Sequence, residues 1–212
     1  MVDLSVPANV FIYAMDLFGT MAFAVTGAFK AIENKSDVVG ILLLATITGV
    51  AGGTIRDIIL GQFPNSIFDP AYVTVTFGSG ITVFFLYSRL KQHWNLFLKF
   101  DAVGLGVFAI IGSTFAYNLV GLNFLAIVFA GMLTAIGGGI LRDVFVNHVP
   151  MVFVKEFYAS ASFVGITIFY LIVYFEGELY IATITGIIST TILRLIAIKY
   201  NWNLPRAKRS TS

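Results

Sequence analysis

The chain has 212 residues, of which 58% are hydrophobic and only 11% charged, and its formal net charge at pH 7 is +2. Its mean hydropathy is +0.91, whereas a soluble globular domain usually has about a quarter of its residues charged. So few charges cannot cover a water-facing surface, which excludes a soluble protein and indicates that lipid is the solvent. The sequence contains no cysteine, which also excludes disulfides and thiolate metal sites.

Seven apolar segments follow one another along the chain, each close to the roughly 20 residues that a helix needs to cross a bilayer. They cover residues 10–30, 38–60, 71–90, 101–121, 123–146, 156–175 and 179–199. Backbone groups in lipid must be hydrogen-bonded internally, so these segments are predicted to be helices. The predicted fold is an all-α integral membrane protein, with residues 1–200 as a single transmembrane domain and residues 201–212 as a basic tail.

The basic residues in the loops, at the span ends and in the tail all fall on one side of the predicted topology. They are Lys30, Lys35, Arg89, Lys91, Lys99, Lys155, Lys199, Arg206, Lys208 and Arg209, whereas Arg56, Arg142 and Arg194 lie inside predicted spans. Cytoplasmic loops are enriched in Lys and Arg, so we expect a multi-pass protein of the cell (inner) membrane with its N-terminus outside and its C-terminus in the cytoplasm. The basic tail can also meet anionic lipid headgroups, which makes membrane lipid an expected partner.

Two stretches of the sequence can be aligned with each other. Thr48–Asp57 reads TGVAGGTIRD and Thr134–Asp143 reads TAIGGGILRD, with five of ten positions identical. Further upstream, DLFGTMAFAVTG at residues 16–27 aligns with DAVGLGVFAIIG at residues 101–112. Downstream matches join Pro64 with Pro150 and Tyr72 with Tyr158.

The alignment divides the transmembrane domain into repeat A (10–90), repeat B (101–175) and a seventh helix (179–199). Each repeat contains three spans, an odd number, so the second copy is predicted to enter the membrane from the opposite side. Inverted repeats with interrupted helices are an architecture of transport proteins, whose binding or permeation site lies near the midplane. The repeats therefore favour a role in transport.

Glycines interrupt the second and fifth spans at equivalent positions, namely Gly52 and Gly53 in one and Gly137, Gly138 and Gly139 in the other. Each glycine costs a helix about 1 kcal/mol relative to alanine, and clusters of glycine are common at kinks and unwound turns. Close helix packing is the alternative, since small residues allow two helices to approach. Three consecutive glycines exceed what packing requires, so we expect both helices to be broken there.

Two Arg-Asp pairs follow those glycines, Arg56-Asp57 and Arg142-Asp143. Charges inside a span are costly and normally face a partner, the bundle interior or water. Because adjacent residues on a helix point about 100° apart, we expect partners on other helices. Asp16 is predicted to lie near Arg56, and Asp101 near Arg142, as two clusters at opposite mouths of one polar path. Ion pairs that merely hold helices together are the alternative.

Hydroxyl groups on the same helices could also line a path, and Thr48 and Thr134 are the candidates because they match across the repeats. Membrane helices often use Thr only to bond their own backbone. His93 and His148 are the only histidines, and the catalytic motifs HExxH, GxSxG and GxxxxGK[ST] do not occur. We therefore expect no enzyme activity, no cofactor, no nucleic-acid partner and no metal beyond transient K⁺ or Na⁺.

With the doubled glycine-Arg-Asp motif, the two segments beginning at Asp16 and Asp101 and the seven-span layout, the sequence resembles the prokaryotic branch of the trimeric intracellular cation (TRIC) channel family. The resemblance covers the chain up to about Tyr200. It implies a homotrimer with a pore in each protomer, conduction of potassium and some sodium, and bending of the second and fifth helices at their glycines. Bacterial relatives of this domain are also labelled glycine transporters or UPF0126 proteins.

Three functions are compatible with this sequence. A monovalent cation channel, favoured by the resemblance, needs a continuous polar path. A secondary transporter of a small amino acid such as glycine needs an occluded site, with helix ends for the carboxylate and an acidic residue for the amine. A non-transporting scaffold predicts that the interior polar residues form closed pairs with no path between them.

Overall fold

The computed structural model describes residues 7–90, 94–154 and 157–202, which form helices joined by turns. The helices are α1 (Pro7–Glu33), α2 (Val38–Ile59), α3 (Asn65–Phe68), α4 (Pro70–Leu90), α5 (Trp94–Val120), α6 (Phe124–Phe145), α7 (Met151–Val154), α8 (Ala159–Tyr174) and α9 (Leu179–Tyr200). Several basic residues used to predict the orientation lie outside the described residues, namely Lys91, Lys155, Arg206, Lys208 and Arg209.

Six of the described helices are long and apolar enough to cross a membrane: α1, α2, α4, α5, α6 and α9. Helix α8 has only 16 residues, or about 24 Å at 1.5 Å per residue, less than the roughly 30 Å hydrocarbon core. The prediction of seven spans is therefore confirmed for six long helices, and the segment predicted at 156–175 forms a shorter apolar helix. Helix α5 also begins at Trp94, earlier than the predicted 101.

Helices α2 and α6 begin and end in the same way. The side chain of Asp37 accepts a hydrogen bond from the N–H of Gly40 at the start of α2, and Asn123 accepts one from Ala126 at the start of α6. Such side chains satisfy backbone donors that a helix start leaves free. After each helix the chain turns through a left-handed residue, Gly61 (φ 69°) or its repeat equivalent Asn147 (φ 57°).

Helices α2 and α6 cross in backbone contact. A Cβ atom added to Gly52 would lie 2.1 Å from the carbonyl oxygen of Thr134, and one added to Gly138 would lie 2.2 Å from that of Thr48. Thr48 on α2 meets Gly138 on α6, and Gly52, one turn later on α2, meets Thr134, one turn earlier on α6. The two helices are therefore antiparallel. Arg56 therefore lies on one side of the crossing and Arg142 on the other.

The predicted breaks at the glycines are wrong, because α2 and α6 run as uninterrupted α-helices through Gly52 and Gly53 and through Gly137–Gly139. An unsatisfied backbone group in lipid costs several kcal/mol, more than the roughly 1 kcal/mol by which a glycine weakens a helix. The glycines instead allow close packing, which was the alternative interpretation. Gly53 and Gly139 face the guanidinium groups of Arg56 and Arg142, at 3.6 and 3.8 Å from an added Cβ.

The surrounding helices hold this crossing in place. Phe23 of α1 and Phe108 of α5 meet edge to face, with ring centroids 5.2 Å apart, and each ring packs on a glycine of the other helix, Gly104 or Gly19. Helix α9 packs on α5 and α8. Helix α9 therefore lies against repeat B. Repeat A has no equivalent of this helix.

Candidate functional site

The first charge cluster consists of Asp16 on α1, Arg56 and Asp57 on α2, and Tyr72 on α4, all of them buried. Arg56 pairs with Asp57, with Nη2 2.7 Å from Oδ1 and Nε donating to the same oxygen at 2.8 Å. The second oxygen of Asp57 accepts from the backbone N–H of Asn65, the first residue of α3, at 3.3 Å. Asp57 thus joins the buried guanidinium to the loop that follows α2.

Asp16 and Arg56 line one small cavity, yet each has a different main partner. The hydroxyl of Tyr72 donates to Oδ2 of Asp16 at 2.6 Å. The guanidinium of Arg56 lies over the ring of Phe115 on α5, 4.1 Å from its centroid. Its Nη1 group is buried and has no hydrogen-bond partner within the part of the chain that the structure describes. The first cluster therefore contains donor capacity that the protein itself does not use.

A cavity of about 260 Å³, here called the vestibule, adjoins this cluster. Its walls include Asp16, Tyr72 and Phe115, and it reaches exposed residues at the ends of α2 and α5, among them Gln62 and Asn118. Tyr13 also lines it, and the Tyr13 hydroxyl donates to Asp69 just before α4. The vestibule thus connects the first charge cluster with one end of the helix bundle.

The second charge cluster consists of Asp101 on α5, Arg142 and Asp143 on α6, and Thr26 on α1. Nη1 of Arg142 lies 2.7 Å from Oδ1 of Asp101 and donates to the hydroxyl of Thr26 at 2.9 Å. Its Nε donates to Oδ1 of Asp143 at 2.9 Å. The other oxygen of Asp143 accepts from the N–H of Met151, the first residue of α7, at 2.9 Å. Arg142 is therefore bound on several sides at once.

Helix α9 adds a further cation to the second cluster. Arg194 is 3% exposed, and its guanidinium lies 4.7 Å from the ring centroid of Tyr158, near enough to Asp101 for the two charges to interact. Tyr158 occupies the position that matches Tyr72 of the first repeat. Because α9 lies outside the repeats, the first cluster contains no residue equivalent to Arg194.

The two clusters therefore differ in formal charge, although their Arg-Asp pairs are built alike. The first, together with Asp69, has three carboxylates and one guanidinium, a formal charge of −2. The second, together with Arg194, has two carboxylates and two guanidinium groups, a formal charge of zero. Charges lining a cleft with low-dielectric walls concentrate counter-ions, so the first cluster favours cations more strongly than the second.

The predicted pairing of charges across helices is confirmed for Asp101 and Arg142. For Asp16 and Arg56 it holds only as a shared cavity, since the carboxylate of Asp16 is bonded to Tyr72. The expectation that adjacent Arg and Asp residues do not pair is wrong for both motifs. The Arg side chain is long enough to fold back on its neighbour, and burial makes such a contact worth more than it is at a helix surface.

The two predicted hydroxyl residues bond to their own helices. Thr48 donates to the carbonyl of Leu44 at 2.6 Å, and Thr134 donates to that of Ala130 at 2.7 Å. Both lie at the α2–α6 crossing and pack against glycines, Gly27 for Thr48 and Gly112 for Thr134. Their contacts are those of structural residues, and a role in permeation stays a prediction.

Three contributors to the site were not identified as such from the sequence. Tyr72 and Tyr158 matched across the repeats, a signal that could have assigned them to the two clusters, but an aromatic residue near a span end also suits a membrane interface. Arg194 is a charge inside a predicted span, and such a charge usually has a buried partner. The seventh helix has no duplicate in the sequence, so Arg194 has no repeat equivalent that would assign it to a cluster.

A family comparison matches the chain twice. The profile of the family described as glycine transporter matches residues 13–88 and again residues 98–174. The chain therefore contains two copies of one domain. The UPF0126 inner membrane protein YadS of Escherichia coli (strain K12) is 34% identical over 198 residues, which cover 92% of this chain and 95% of YadS.

Solved structures show the same fold. The TRIC trimeric intracellular cation channel orthologue from Rhodobacter sphaeroides superposes with a TM-score of 0.86 at 32% identity, over 91% of this chain and 99% of the orthologue. A chain from a structural study of conductance through TRIC cation channels gives a TM-score of 0.85 at 33% identity, over 94% of this chain and 98% of that one. Both likenesses extend over nearly the entire chain.

Proposed function

The chain belongs to the family of prokaryotic membrane proteins that includes the TRIC channels, and on that premise we propose that it is a channel for monovalent cations, K⁺ and also Na⁺. It acts as a homotrimer with a pore in each protomer, as the description of the Rhodobacter sphaeroides orthologue as trimeric supports. The observation that carries the proposal is the pair of buried Arg-Asp clusters on opposite sides of one antiparallel helix crossing.

The spacing of the clusters supports a path across the bilayer. Arg56 lies over Phe115 and Arg142 over Phe97, both on α5. The two rings are 18 positions apart in the sequence, or about 27 Å along a helix, close to the roughly 30 Å hydrocarbon core. A buried charge in a membrane normally lines a polar cavity or an ion pathway. The clusters thus form the two mouths of the proposed pore.

The proposed pore runs from the vestibule past the first cluster to the second, along the α2–α6 crossing. Its residues are Asp16, Thr48, Gly52, Gly53, Arg56, Asp57, Asp101, Thr134, Gly137, Gly138, Gly139, Arg142 and Asp143. Because the two backbones touch at the crossing, the structure corresponds to a closed pore. Opening of the pore requires α2 and α6 to separate at the crossing. If the repeats are inverted, the crossing lies at the midpoint of the path.

We infer that the protein lies in the inner membrane with its N-terminus outside and its C-terminus in the cytoplasm. The inner-membrane description of the Escherichia coli relative supports the location, and the one-sided distribution of Lys and Arg supports the orientation. The vestibule and the first cluster then face the outside, and the second cluster faces the cytoplasm. Membrane lipid is the other partner of the trimer.

Recording single-channel currents from the purified protein in planar bilayers under a KCl gradient tests the proposal. We expect unitary currents that reverse near the potassium potential and that change in Arg142→Ala and Asp143→Ala. Gly78→Ala is the matched control, since an added Cβ at this exposed glycine meets no atom within 4 Å. Silence of the wild-type protein, or currents that respond equally to Gly78→Ala, would reject the channel.

A transporter of a small amino acid such as glycine is the second candidate. One observation favours it: Asp16 and Arg56 line one small cavity of about 10 Å³. The surrounding helices would have to move apart for the carboxylate and the guanidinium to hold the amine and the carboxylate of a zwitterion. Saturable glycine uptake into proteoliposomes, lost in Arg56→Ala, together with silence in the bilayer recordings, would establish this function instead.

The charge difference between the mouths predicts an effect of Arg194→Gln. Removing this cation leaves the second cluster with a formal charge of −1, which raises the local concentration of K⁺ at that mouth. We expect the K⁺ current that enters through the second mouth to rise about twofold to tenfold relative to the current that enters through the first. This effect should become smaller at high salt. Current–voltage curves in symmetric KCl measure this ratio.

Lys199→Gln is the control for Arg194→Gln, because it removes the same charge from an exposed position on the same helix. It should leave the ratio of the two current directions nearly unchanged. An unchanged ratio in Arg194→Gln, or an equal change in both variants, would show that Arg194 does not set the charge of the second mouth.

A further inference from the structure

We propose that the vestibule is a binding site for a small organic ammonium ion, such as a trimethylammonium or primary-amine compound, and that its occupation blocks the pore from that side only. The inference deepens the proposed function, on which the blocking part rests. The binding part rests on the vestibule alone. Three features of the vestibule support it: the aromatic residues of the lining, the carboxylate of Asp16 and the volume of the cavity.

The walls combine the two groups that recognise ammonium ions, aromatic rings and a carboxylate. Tyr13 and Tyr72 lie edge to face with centroids 6.4 Å apart, and Phe115 adds a third ring to the lining. Aromatic faces attract cations, and pockets of this composition recognise quaternary ammonium groups. Apolar side chains, including Ile12 and Leu119, complete the lining and suit the alkyl part of such a ligand.

The carboxylate of Asp16 supplies the charge. Asp16 is only 8% exposed and lines the vestibule. Within the described residues the hydrogen bond made to its side chain comes from Tyr72 and goes to Oδ2, which leaves Oδ1 available. This oxygen is not among the fully buried atoms that lack a partner, so it can be reached from the cavity, where an ammonium group offers it both a charge and, in primary amines, N–H donors.

The nearby cations do not oppose this assignment. Arg56 and Asp16 line the same small cavity, but the charge of Arg56 is matched by Asp57 at 2.7 Å and its guanidinium lies against Phe115. Asp69, held by Tyr13, adds a further negative charge near the vestibule. The local formal charge remains negative, so a cation is favoured over an anion.

The size of the vestibule selects a small ligand. Its volume of about 260 Å³ is slightly below the roughly 300 Å³ at which pockets for drug-sized ligands begin. At the second cluster, Thr26, Asp101 and Asp143 hold Arg142 in place. A ligand of a few heavy atoms therefore fits the vestibule.

Calorimetric titration of the full-length protein in lipid nanodiscs tests the binding without any measurement of current. The probes are choline and 3,3-dimethyl-1-butanol, its uncharged analogue of the same shape. We expect choline to bind about tenfold or more tightly than the alcohol, a difference that one or two cation–π contacts and a charge pair can supply. Equal affinities, or no binding of choline, would overturn the proposal.

Three variants locate the site. Asp16→Asn should weaken choline about tenfold or more, whereas Asp101→Asn, its repeat equivalent, should leave the affinity nearly unchanged. Leu119→Trp fills the vestibule from a position that is 45% exposed, so it removes binding while sparing the core if Asp16→Asn fails to fold. Choline binding that survives both vestibule variants would refute the assignment.

Block of the current separates the two proposals. In bilayers, choline is expected to reduce the K⁺ current when added to the vestibule side and to have little effect from the other side. Binding in nanodiscs without any current in bilayers would reject the channel and leave the ammonium site standing. Conduction without choline binding would leave the channel standing and reject the site.

Discussion

Replacing Arg142 by alanine is expected to destabilise the folded protein by about 3–5 kcal/mol, the usual loss when one partner of a buried ion pair is removed. The guanidinium contacts Asp101 at 2.7 Å and Asp143 at 2.9 Å, and both carboxylates are almost fully buried. The substitution removes the cation that contacts both carboxylates and leaves Arg194 as the remaining positive charge of the second cluster. Loss of circular dichroism on heating in a mild detergent measures the effect.

Arg56→Ala is the matched control for Arg142→Ala. Among the described residues Arg56 forms an ion pair only with Asp57, and the carboxylate of Asp16 keeps its hydrogen bond from Tyr72, so fewer buried charges lose their partner. We expect a clearly smaller destabilisation than for Arg142→Ala. Equal losses in the two variants would contradict the different roles given to the two guanidinium groups.

The double variant Arg142→Ala with Asp101→Asn tests the electrostatic cause directly. If the uncompensated charge of Asp101 is responsible, neutralising it recovers part of the stability. The double variant should then be more stable than the sum of the two single losses predicts, by about 0.5–3 kcal/mol, the range of measured couplings between contacting residues. Strict additivity would point to lost packing of the Arg side chain instead.

Alanine at Gly52 or at Gly138 is expected to cost about 1–3 kcal/mol or more each, the range for overpacking a tight core. The added methyl groups would lie 2.1 and 2.2 Å from backbone carbonyl oxygens of the other helix, which cannot rotate away as a side chain would. Helices α2 and α6 must therefore move apart. Thermal unfolding in detergent, together with the unitary conductance, measures both consequences.

The neighbouring glycines provide the controls for these substitutions. An added Cβ at Gly53 first meets Arg56 at 3.6 Å, and one at Gly139 first meets Tyr158 at 3.5 Å, both ordinary contact distances. Alanine is the better helix former by up to about 1 kcal/mol, so Gly53→Ala and Gly139→Ala should be neutral or slightly stabilising. A similar loss at all four positions would mean that flexibility of the helices, rather than their contact, is what the glycines supply.

The spans, the duplication and one of the two charge clusters could be predicted from the sequence. Long apolar segments have few alternatives in lipid, and Arg56 and Arg142 lie on opposite sides of the antiparallel α2–α6 crossing, as an odd number of spans in each repeat requires. The partner of Arg142 followed from the position of Asp101 in its helix. These features could be predicted because they depend on the lengths of the apolar segments, on their repetition and on the order of the spans, all of which can be read from the sequence.

The continuity of α2 and α6 could not be predicted in the same way. Glycine propensity argued for a break at Gly52 and Gly138, whereas the cost of free backbone groups in lipid and the gain from close packing argued against it. Whether the helix breaks or stays continuous depends on the position of the partner helix. The same holds for Arg194, whose role depends on where α9 packs and not on its own sequence.

The short helix α8 has a consequence for the surrounding bilayer. Its 16 residues span about 24 Å, whereas the 21 residues of α4, its counterpart in the first repeat, span about 32 Å. Where α8 crosses the bilayer, as the sequence predicts for this segment, the lipid beside it must thin or α8 must draw polar groups inward, and each ångström of such mismatch costs a fraction of a kcal/mol. The acyl-chain length of the membrane therefore strains one repeat more than the other.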